Sequence, residues 1–415
     1  MFETIVKTVF SKIVLLFINL FLVIYTAHLW GSAGRGQIAL FMADLALVSI
    51  VIDIVAGSSL AYYSSRHRLR HLLPHVYSWS LGASVMVPLA LHFYRPQENL
   101  YLLMFVSLAL ALMSSSAQVF VGRQLMGRYN FQQTIQPAML MFLAVSFSSF
   151  HPHVDAYFYA LFASYIILFV LSLWQMRHTI EPETVDAGNV LHQLLTYGSM
   201  SQLSVFMQFL NYRLTYYFLA AIQNVESVGV FSVGVALSEA LWIICRSISV
   251  VLFSRNVHNT DHAKMEEDAK FAMKLSLYAS LVASIAVLLI PEGVYSHVFG
   301  KDFTQTKTVL CYLLPGILAI SASDIAGHYF AAQRQLIILN IKSVVGLALT
   351  ILLSVLLIPR YGIAGACISM SASYLASSLV LLIAFAKQVP VCGTDLLISR
   401  KDWARVGEIQ LFAKR

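Results

Sequence analysis

Charge is what this chain has least of. Asp, Glu, Lys and Arg make up 11% of its 415 residues, against 59% hydrophobic. Soluble domains carry about 25% charged residues, so there is too little polar surface here to clothe a soluble globule. Cysteine is scarce too: Cys245, Cys311 and Cys367 fall in apolar runs and Cys392 lies near the C-terminus. Their positions fit neither a metal-ligand spacing nor a disulfide framework. Long polar segments are also wanting. The longest are 176–193, 254–270 and 387–415, none able to bury a core of its own. That excludes a soluble catalytic domain, so the chain reads as a non-enzyme without a cofactor. A glycan polymerase or ligase would need a large outer loop bearing catalytic groups, which is likewise missing. The formal net charge is +7, but no nucleic-acid-reading motif accompanies it, and basic loops beside anionic lipid account for it.

What is present is a series of twelve apolar stretches, near 10–29, 37–61, 75–94, 100–120, 133–150, 156–175, 194–221, 228–253, 271–290, 306–331, 335–358 and 363–386. A hydrocarbon core about 30 Å thick takes roughly 20 apolar residues per helix. Helices are required because lipid offers the backbone no hydrogen bonds. Lys7 and Lys12 precede the first run as in a signal peptide. Its length and the eleven spans after it identify a retained helix instead.

Cations set the expected orientation. With the N-terminus inside, Arg66, Arg68, Arg70, Arg123, Arg128, Arg177, Arg255, Lys264, Lys270, Lys274 and Arg334 share one side with a basic tail. The opposite loops hold Arg35, Arg95, Lys301, Lys307 and Arg360. Both termini are therefore expected in the cytoplasm. The polar stretch 177–193 divides the spans into a lobe 1–176 and a lobe 194–386, followed by a cytoplasmic amphipathic tail 387–415. Six spans per lobe put both the same way up, the arrangement of a parallel repeat. Gly36 and Gly229, each in the hairpin after the first span of its lobe, are equivalent in that repeat.

Charges at membrane depth are costly and each needs a partner or a wet cavity. They are Asp44, Asp53, Arg213, Glu239, Arg246, Asp324 and Lys342. Asp324 and Lys342 flank the turn at Arg334 at equal depth, so either they pair or Lys342 holds an anionic head group with Asp324 tuning it. Arg213 reaches a depth near that of Glu239, so a pair between them is one reading and a cavity cation the other. Arg246 has no obvious partner in the sequence and is the strongest candidate for a substrate-facing cation, since a guanidinium stays charged and forks onto phosphate oxygens. Asp53 is placed near the cytoplasmic end, within reach of Arg66–Arg70. Asp44 is deeper and a candidate protonation or ion site. His151 and His153 flank a proline in an outer loop that reads as a turn rather than a metal site, and no metal is expected.

Several motifs resemble a known family. Asn211-Tyr212-Arg213-Leu214-Thr215-Tyr216-Tyr217-Phe218-Leu219 and Val228-Gly229-Val230-Phe231-Ser232-Val233 are similar to the seventh-to-eighth span region of polysaccharide repeat-unit flippases. These are the O-antigen and capsule-type members of the polysaccharide transporter family in the multidrug/oligosaccharidyl-lipid/polysaccharide (MOP) exporter superfamily. Val298-Phe299-Gly300-Lys301-Asp302-Phe303 resembles the outer loop before span ten, and Ile358-Pro359-Arg360-Tyr361-Gly362-Ile363-Ala364-Gly365-Ala366 the turn between spans eleven and twelve. Gly34-Arg35-Gly36-Gln37-Ile38-Ala39-Leu40 resembles the glycine turn after span one.

The resemblance implies an all-α integral membrane protein of about 12 transmembrane helices, in two six-helix lobes around a central cavity. It implies a flippase of the bacterial inner membrane that moves undecaprenyl-pyrophosphate-linked oligosaccharide repeat units to the periplasmic leaflet by alternating access. The partners implied are the lipid-linked oligosaccharide, the phospholipid bilayer, H+ or Na+ as coupling ion, and the glycan polymerase machinery. In the peptidoglycan-lipid branch, arginines of the first two spans line the cavity, whereas spans one and two as delimited here have none. The cavity cations would then be Arg246, Arg213 and Lys342, with Arg35 at the outer rim. Asp44, Glu239 and Asp324 would be coupling or pairing acids. Gln202, Gln208, Asn211, Tyr212 and Tyr216 suit sugar hydroxyls. The alternative is a cation-coupled multidrug exporter of the same superfamily, which would want an acidic cation site in a more apolar cavity.

Overall fold

The structure, a computed structural model, describes residues 2–96, 99–176, 189–256, 262–333 and 335–389, without the side chains of 2–13, 244–264 and 336. Every regular element among them is helical: α1 (Phe2–Ala56), α2 (Ser58–Ser64), α3 (Leu69–Tyr94), α4 (Leu100–Gly122), α5 (Met126–Phe150), α6 (Asp155–Met176), α7 (Val190–Ile222), α8 (Val225–Asn256), α9 (His262–Leu288), α10 (Glu292–Phe299), α11 (Thr306–Ala332) and α12 (Leu336–Gln388), with a 3-10 turn at Lys301–Phe303. Eight helical stretches among the described residues are long and apolar enough to cross a membrane. Phe17, Phe93 and Phe105 stand exposed on such helices, which a lipid solvent accommodates and water does not.

Two of those stretches, Val14–Ser64 and Ile337–Gln388, run 51 and 52 residues. At about 1.5 Å per residue each is roughly 75 Å long, more than twice the hydrocarbon thickness. Both are broken near the middle by a glycine in the left-handed region, Gly31 (φ 63°) and Gly362 (φ 55°). Each long helix is thus two spans folded back at a residue without a Cβ. The break at Gly362 falls in the Ile358–Ala366 motif. The first break falls three residues ahead of the expected turn at Gly34–Gly36. Arg35 is therefore in the first turn after the break, at the start of the second helix and ahead of the bound 37 expected for that span.

The helices α5 and α7 occupy expected spans but are absent from the eight apolar stretches. They carry Gln132, Gln133 and Gln136, and Gln202, Gln208, Asn211 and Arg213. The side chain of Gln132 is buried and donates to Met113 O (3.0 Å). The linker 177–193 is described only from Asn189, and the tail 387–415 only to Val389, so those two expectations fall largely outside the described residues.

By proximity the chain forms two compact units, one of Met1–Gly36 with Leu210–Arg415 and the other of Gln37–Phe209. This division crosses the expected lobes 1–176 and 194–386, because the first span sides with the later helices. The crossing of α1 with α8 shows why. A Cβ on Gly36 would stand 2.0 Å from Val225 O, and one on Gly229 would stand 1.9 Å from Ser32 O.

In the unit Met1–Gly36 with Leu210–Arg415, α11 packs against α8, α9 and α12. Its core joins Ile325, Ala326, Tyr329 and Phe330 to Met265, Ala269, Leu381 and Phe385. Pro315 lies inside α11, and the Gly316 amide beside it donates to Ser371 Oγ (2.9 Å) on α12. Ser323 and Ser378 bond one another across the same two helices (2.9 Å). Small hydroxyl residues thus bring helices close in a setting without a hydrophobic driving force.

In the unit Gln37–Phe209, an apolar core gathers Val48, Ile52, Val55, Leu60, Leu72, Val76, Val119 and Leu194. Arg128 Nη1 donates to Gln175 O (2.6 Å) in the last turn of α6, and Arg123 Nη2 to His67 O (3.5 Å). Two of the expected cytoplasmic cations thus also close the ends of the bundle, where helix carbonyls attract positive charge.

Candidate functional site

Four of the charges predicted at membrane depth fall into two groups within the unit Met1–Gly36 with Leu210–Arg415. On α7, Arg213 Nη2 meets Glu239 of α8 at 3.0 and 3.4 Å, and Nη1 donates to the Tyr216 hydroxyl (3.0 Å). The pairing reading of Arg213 and Glu239 is therefore the one found. Both side chains keep about a third of their surface exposed, 30% and 38%. This is a partly exposed ion pair, with one guanidinium edge committed to the carboxylate.

Aromatic rings surround the pair. Tyr216 is 4% exposed and packs edge-on against Phe231 (5.4 Å). Tyr212 lies edge-to-face with Trp242 (5.7 Å) and with Tyr374 of α12 (5.8 Å). Tyr374 is near enough to Arg213 and Glu239 for each to act on it electrostatically. Nothing in the sequence pointed to Tyr374, which lies far along the chain from its partners.

Arg35 joins from α1. Its Nη1 reaches Thr26 Oγ1 (3.4 Å) across the Gly31 break, and its charge is felt at Tyr216. Thr26 is fully buried and donates to Leu22 O (2.7 Å). The break itself is held from a distance. Asp302 Oδ2 accepts from the Ser32 amide (3.0 Å) and the Ser32 hydroxyl (3.1 Å). A carboxylate thus caps the new helix start, where free amides and the helix dipole favour negative charge. The sequence flagged this region through the Val298–Phe303 motif without revealing the role of Asp302.

The second group is Asp324 and Lys342. Both are half-buried, and each lies within the other's electrostatic reach without a direct bond. Asp324 Oδ2 is buried and accepts no hydrogen bond. One helical turn further along α12, Gly346 makes room for Asn211: a Cβ there would stand 2.8 Å from Asn211 Oδ1. The amide of Asn211 donates to Ser343 O (3.1 Å). Asn211 thus binds α7 to α12 as well as standing beside the aromatic group.

Other candidates lie elsewhere. Asp44 is 1% exposed in the second span and engaged there. Arg246 lies on α8, but its side chain is outside those described. His153 pairs with Asp155 (2.9 Å), which also accepts from Asn99 (2.9 Å). Among the described residues, no group of three His, Cys, Asp or Glu side chains is placed to hold a metal ion.

The long apolar helices among the described residues, with a glycine break inside the first and the last and charges set among aromatic rings, are those of an all-α membrane protein, and its fold is of the MOP-exporter type. A solved structure of the lipid II flippase MurJ in an inward closed conformation superposes with a TM-score of 0.73 at 12% identity, covering 94% of this chain and 89% of that one. An inward-facing multidrug resistance MATE family transporter of the MOP superfamily gives 0.65 at 14% identity, covering 90% and 94%. An outward-facing conformation of such a transporter gives 0.60 at 13%, covering 94% and 96%.

Residues 138–413, two thirds of the chain, match the family model of the lipid II flippase MurJ, and the chain belongs to that family. Its members are flippases rather than enzymes. The resemblance to repeat-unit flippases thereby holds at the level of the superfamily. No curated protein sequence matches the chain significantly.

Proposed function

We propose that the protein is a flippase for a saccharide carried on a polyprenyl diphosphate, moving it from the cytoplasmic to the periplasmic leaflet of the bacterial inner membrane by alternating access. Membership of the MurJ family is the observation that carries this reading. Arg35, Arg213 and Lys342 give it chemistry. Fixed cations at membrane depth would take the diphosphate out of the headgroup region, and Tyr212, Trp242 and Tyr374 would offer faces and hydroxyls to sugar rings. The polyprenyl tail stays in lipid. Arg246 belongs to the same proposal, and both termini are taken as cytoplasmic.

Net movement requires that the inward and outward states bind the head group differently. The Arg213–Glu239 pair suits this: a diphosphate arriving beside Arg213 competes with Glu239 for the same guanidinium. Released Glu239 is then free to take a proton.

The cargo we favour is an oligosaccharide repeat unit, on the motifs of spans seven, eight, eleven and twelve. Lipid II, named in the family's description, is the other saccharide carrier to test. Depletion of the protein should make one lipid-linked saccharide accumulate on the cytoplasmic leaflet. Loss of surface glycan with intact wall synthesis identifies repeat units, and arrested wall synthesis identifies lipid II. If neither intermediate accumulates, and no second flippase is present, the reading fails. The likeness to MATE transporters favours drug export as a second reading, and expression in an exporter-deficient host checks it by resistance.

A further inference from the structure

The end of the second span carries an acid that the site above does not use. Asp53 was expected near Arg66–Arg70, but α1 does not end at the membrane surface. It breaks at Gly57 and α2 carries the path on to Ser64. The apolar stretch Val14–Ser64 runs eleven residues beyond Asp53, so Asp53 lies inside that stretch rather than at its end. Among the described residues its carboxylate has no ion pair or hydrogen bond. It also sits in the last turn of α1, where the helix dipole adds negative potential. An unpaired carboxylate at that end, at that depth, is doubly unfavourable unless a positive charge joins it.

The surroundings offer oxygen. Gly198 of α7 lies against α1 so closely that a Cβ would fall 1.6 Å from Ile54 O. One turn further along α7, Gln202 Nε2 donates to Asp53 O (3.4 Å), and Ser58 Oγ donates to Ser201 Oγ (3.0 Å). Gln202 is only 8% exposed, and its remaining atom, Oε1, is buried without any donor. A carboxylate and a buried amide oxygen thus stand on groups bonded to each other, and both lack a positive partner.

No other acid is near. The helices α2, α3 and α4 and residues 190–209 of α7 contain no Asp or Glu. The titratable groups on the packed elements are Tyr62 and Tyr63 of α2, Arg70, His71, His75, Tyr77, His92 and Tyr94 of α3, Tyr101 of α4, and His192 and Tyr197 of α7; His75, whose Nδ1 faces His71 O (3.0 Å), is one turn from Trp79 toward the α2–α3 turn. The cations of α3 stand nearer the α2–α3 turn. Trp79 Nε1 on Val51 O (3.0 Å) sets the level of α3, and Arg70 is nine residues, about 14 Å, closer to that turn.

We propose that the break between α1 and α2 is a monovalent-cation site, in which the Asp53 carboxylate and Gln202 Oε1 hold a sodium ion or a proton. Broken helices whose carbonyl ends face inward are a general way to bind Na+ or H+ in transporters. A proton on Asp53 would donate to Gln202 Oε1, and sodium would be shared by both oxygens, with the serine hydroxyls beside them. The site lies wholly within the unit Gln37–Phe209 and does not depend on what the protein carries.

The purified full chain in nanodiscs tests this. One arm records the Tm in sodium chloride against choline chloride at constant ionic strength. The other follows the infrared band of a protonated carboxyl through a pH titration. A saturable sodium-dependent rise in Tm, lost in Asp53→Asn, identifies sodium. A carboxyl band lost in Asp53→Asn, with no sodium effect, identifies the proton. Should Asp53→Asn fail to accumulate, Gln202→Met serves instead, with cation affinity expected to fall about 10-fold or more. Wild-type protein showing neither a sodium effect nor the carboxyl band overturns the proposal. So does a variant that responds as wild type does in both arms.

Discussion

Gly36 and Gly229 form a reciprocal contact. Gly36 lies on Val225 O and Gly229 lies on Ser32 O, and Gly36 precedes Gly229 by the same interval by which Ser32 precedes Val225. Equivalent residues thus exchange equivalent contacts, as they do across a two-fold axis. Here the two copies would be internal repeats of one chain. The crossing is closed by backbone against backbone and leaves no room for a side chain. Gly229→Ala should lower stability by about 1–3 kcal/mol through overpacking, and Gly229→Leu should prevent accumulation. Thermal unfolding in detergent and the yield in membranes measure both.

Asp302 holds the other side of the first break. Asp302→Ala leaves the Ser32 amide without its cap and should cost about 1 kcal/mol. Hydrogen exchange should speed up at Ser32 and its neighbours while α9 and α11 stay protected. Unchanged exchange there would remove the capping role.

Glu239→Gln leaves Arg213 charged and half-buried with Tyr216 alone. Breaking a fully buried pair costs about 3–5 kcal/mol. With about a third of each side chain exposed, about 1–2 kcal/mol is expected, read from thermal unfolding. Arg213→Lys keeps the charge but not the fork, so transport should fall about 10-fold or more while stability changes little.

Lys342 and Asp324 are distinguished by a double variant. If Lys342 receives the anionic head group, Lys342→Met abolishes transport and Lys342→Met with Asp324→Asn does not recover it. Recovery in the double variant would show a pair that only balances charge.

Much of the fold is legible in the sequence because lipid demands long apolar helices, and each of the twelve expected runs lies on a helix. Hydropathy bracketed the breaks at Gly31 and Gly362, which fall between expected spans, but not the one at Gly57. The expected second span, 37–61, runs straight through Gly57, where α1 gives way to α2. Depth arithmetic brought Arg213 to Glu239, and Asp324 within electrostatic reach of Lys342 though not into a direct bond, because each pair lies on consecutive helices joined by a short turn. It could not bring Asp302 to Ser32 or Tyr374 to Tyr212, which are joined only by the packing of distant helices. Gln202 was visible as a polar residue in a span, but the orphaned Oε1 depends on which atom of α1 it faces.

The central claim is tested most directly by reconstituting the purified protein in liposomes with a fluorescent polyprenyl-diphosphate saccharide and following its leaflet exchange by chemical quenching. The account predicts exchange that depends on the protein and is reduced about 10-fold or more by Arg213→Lys. Exchange no faster than in protein-free liposomes, for both the repeat-unit and the lipid II carriers, would contradict it.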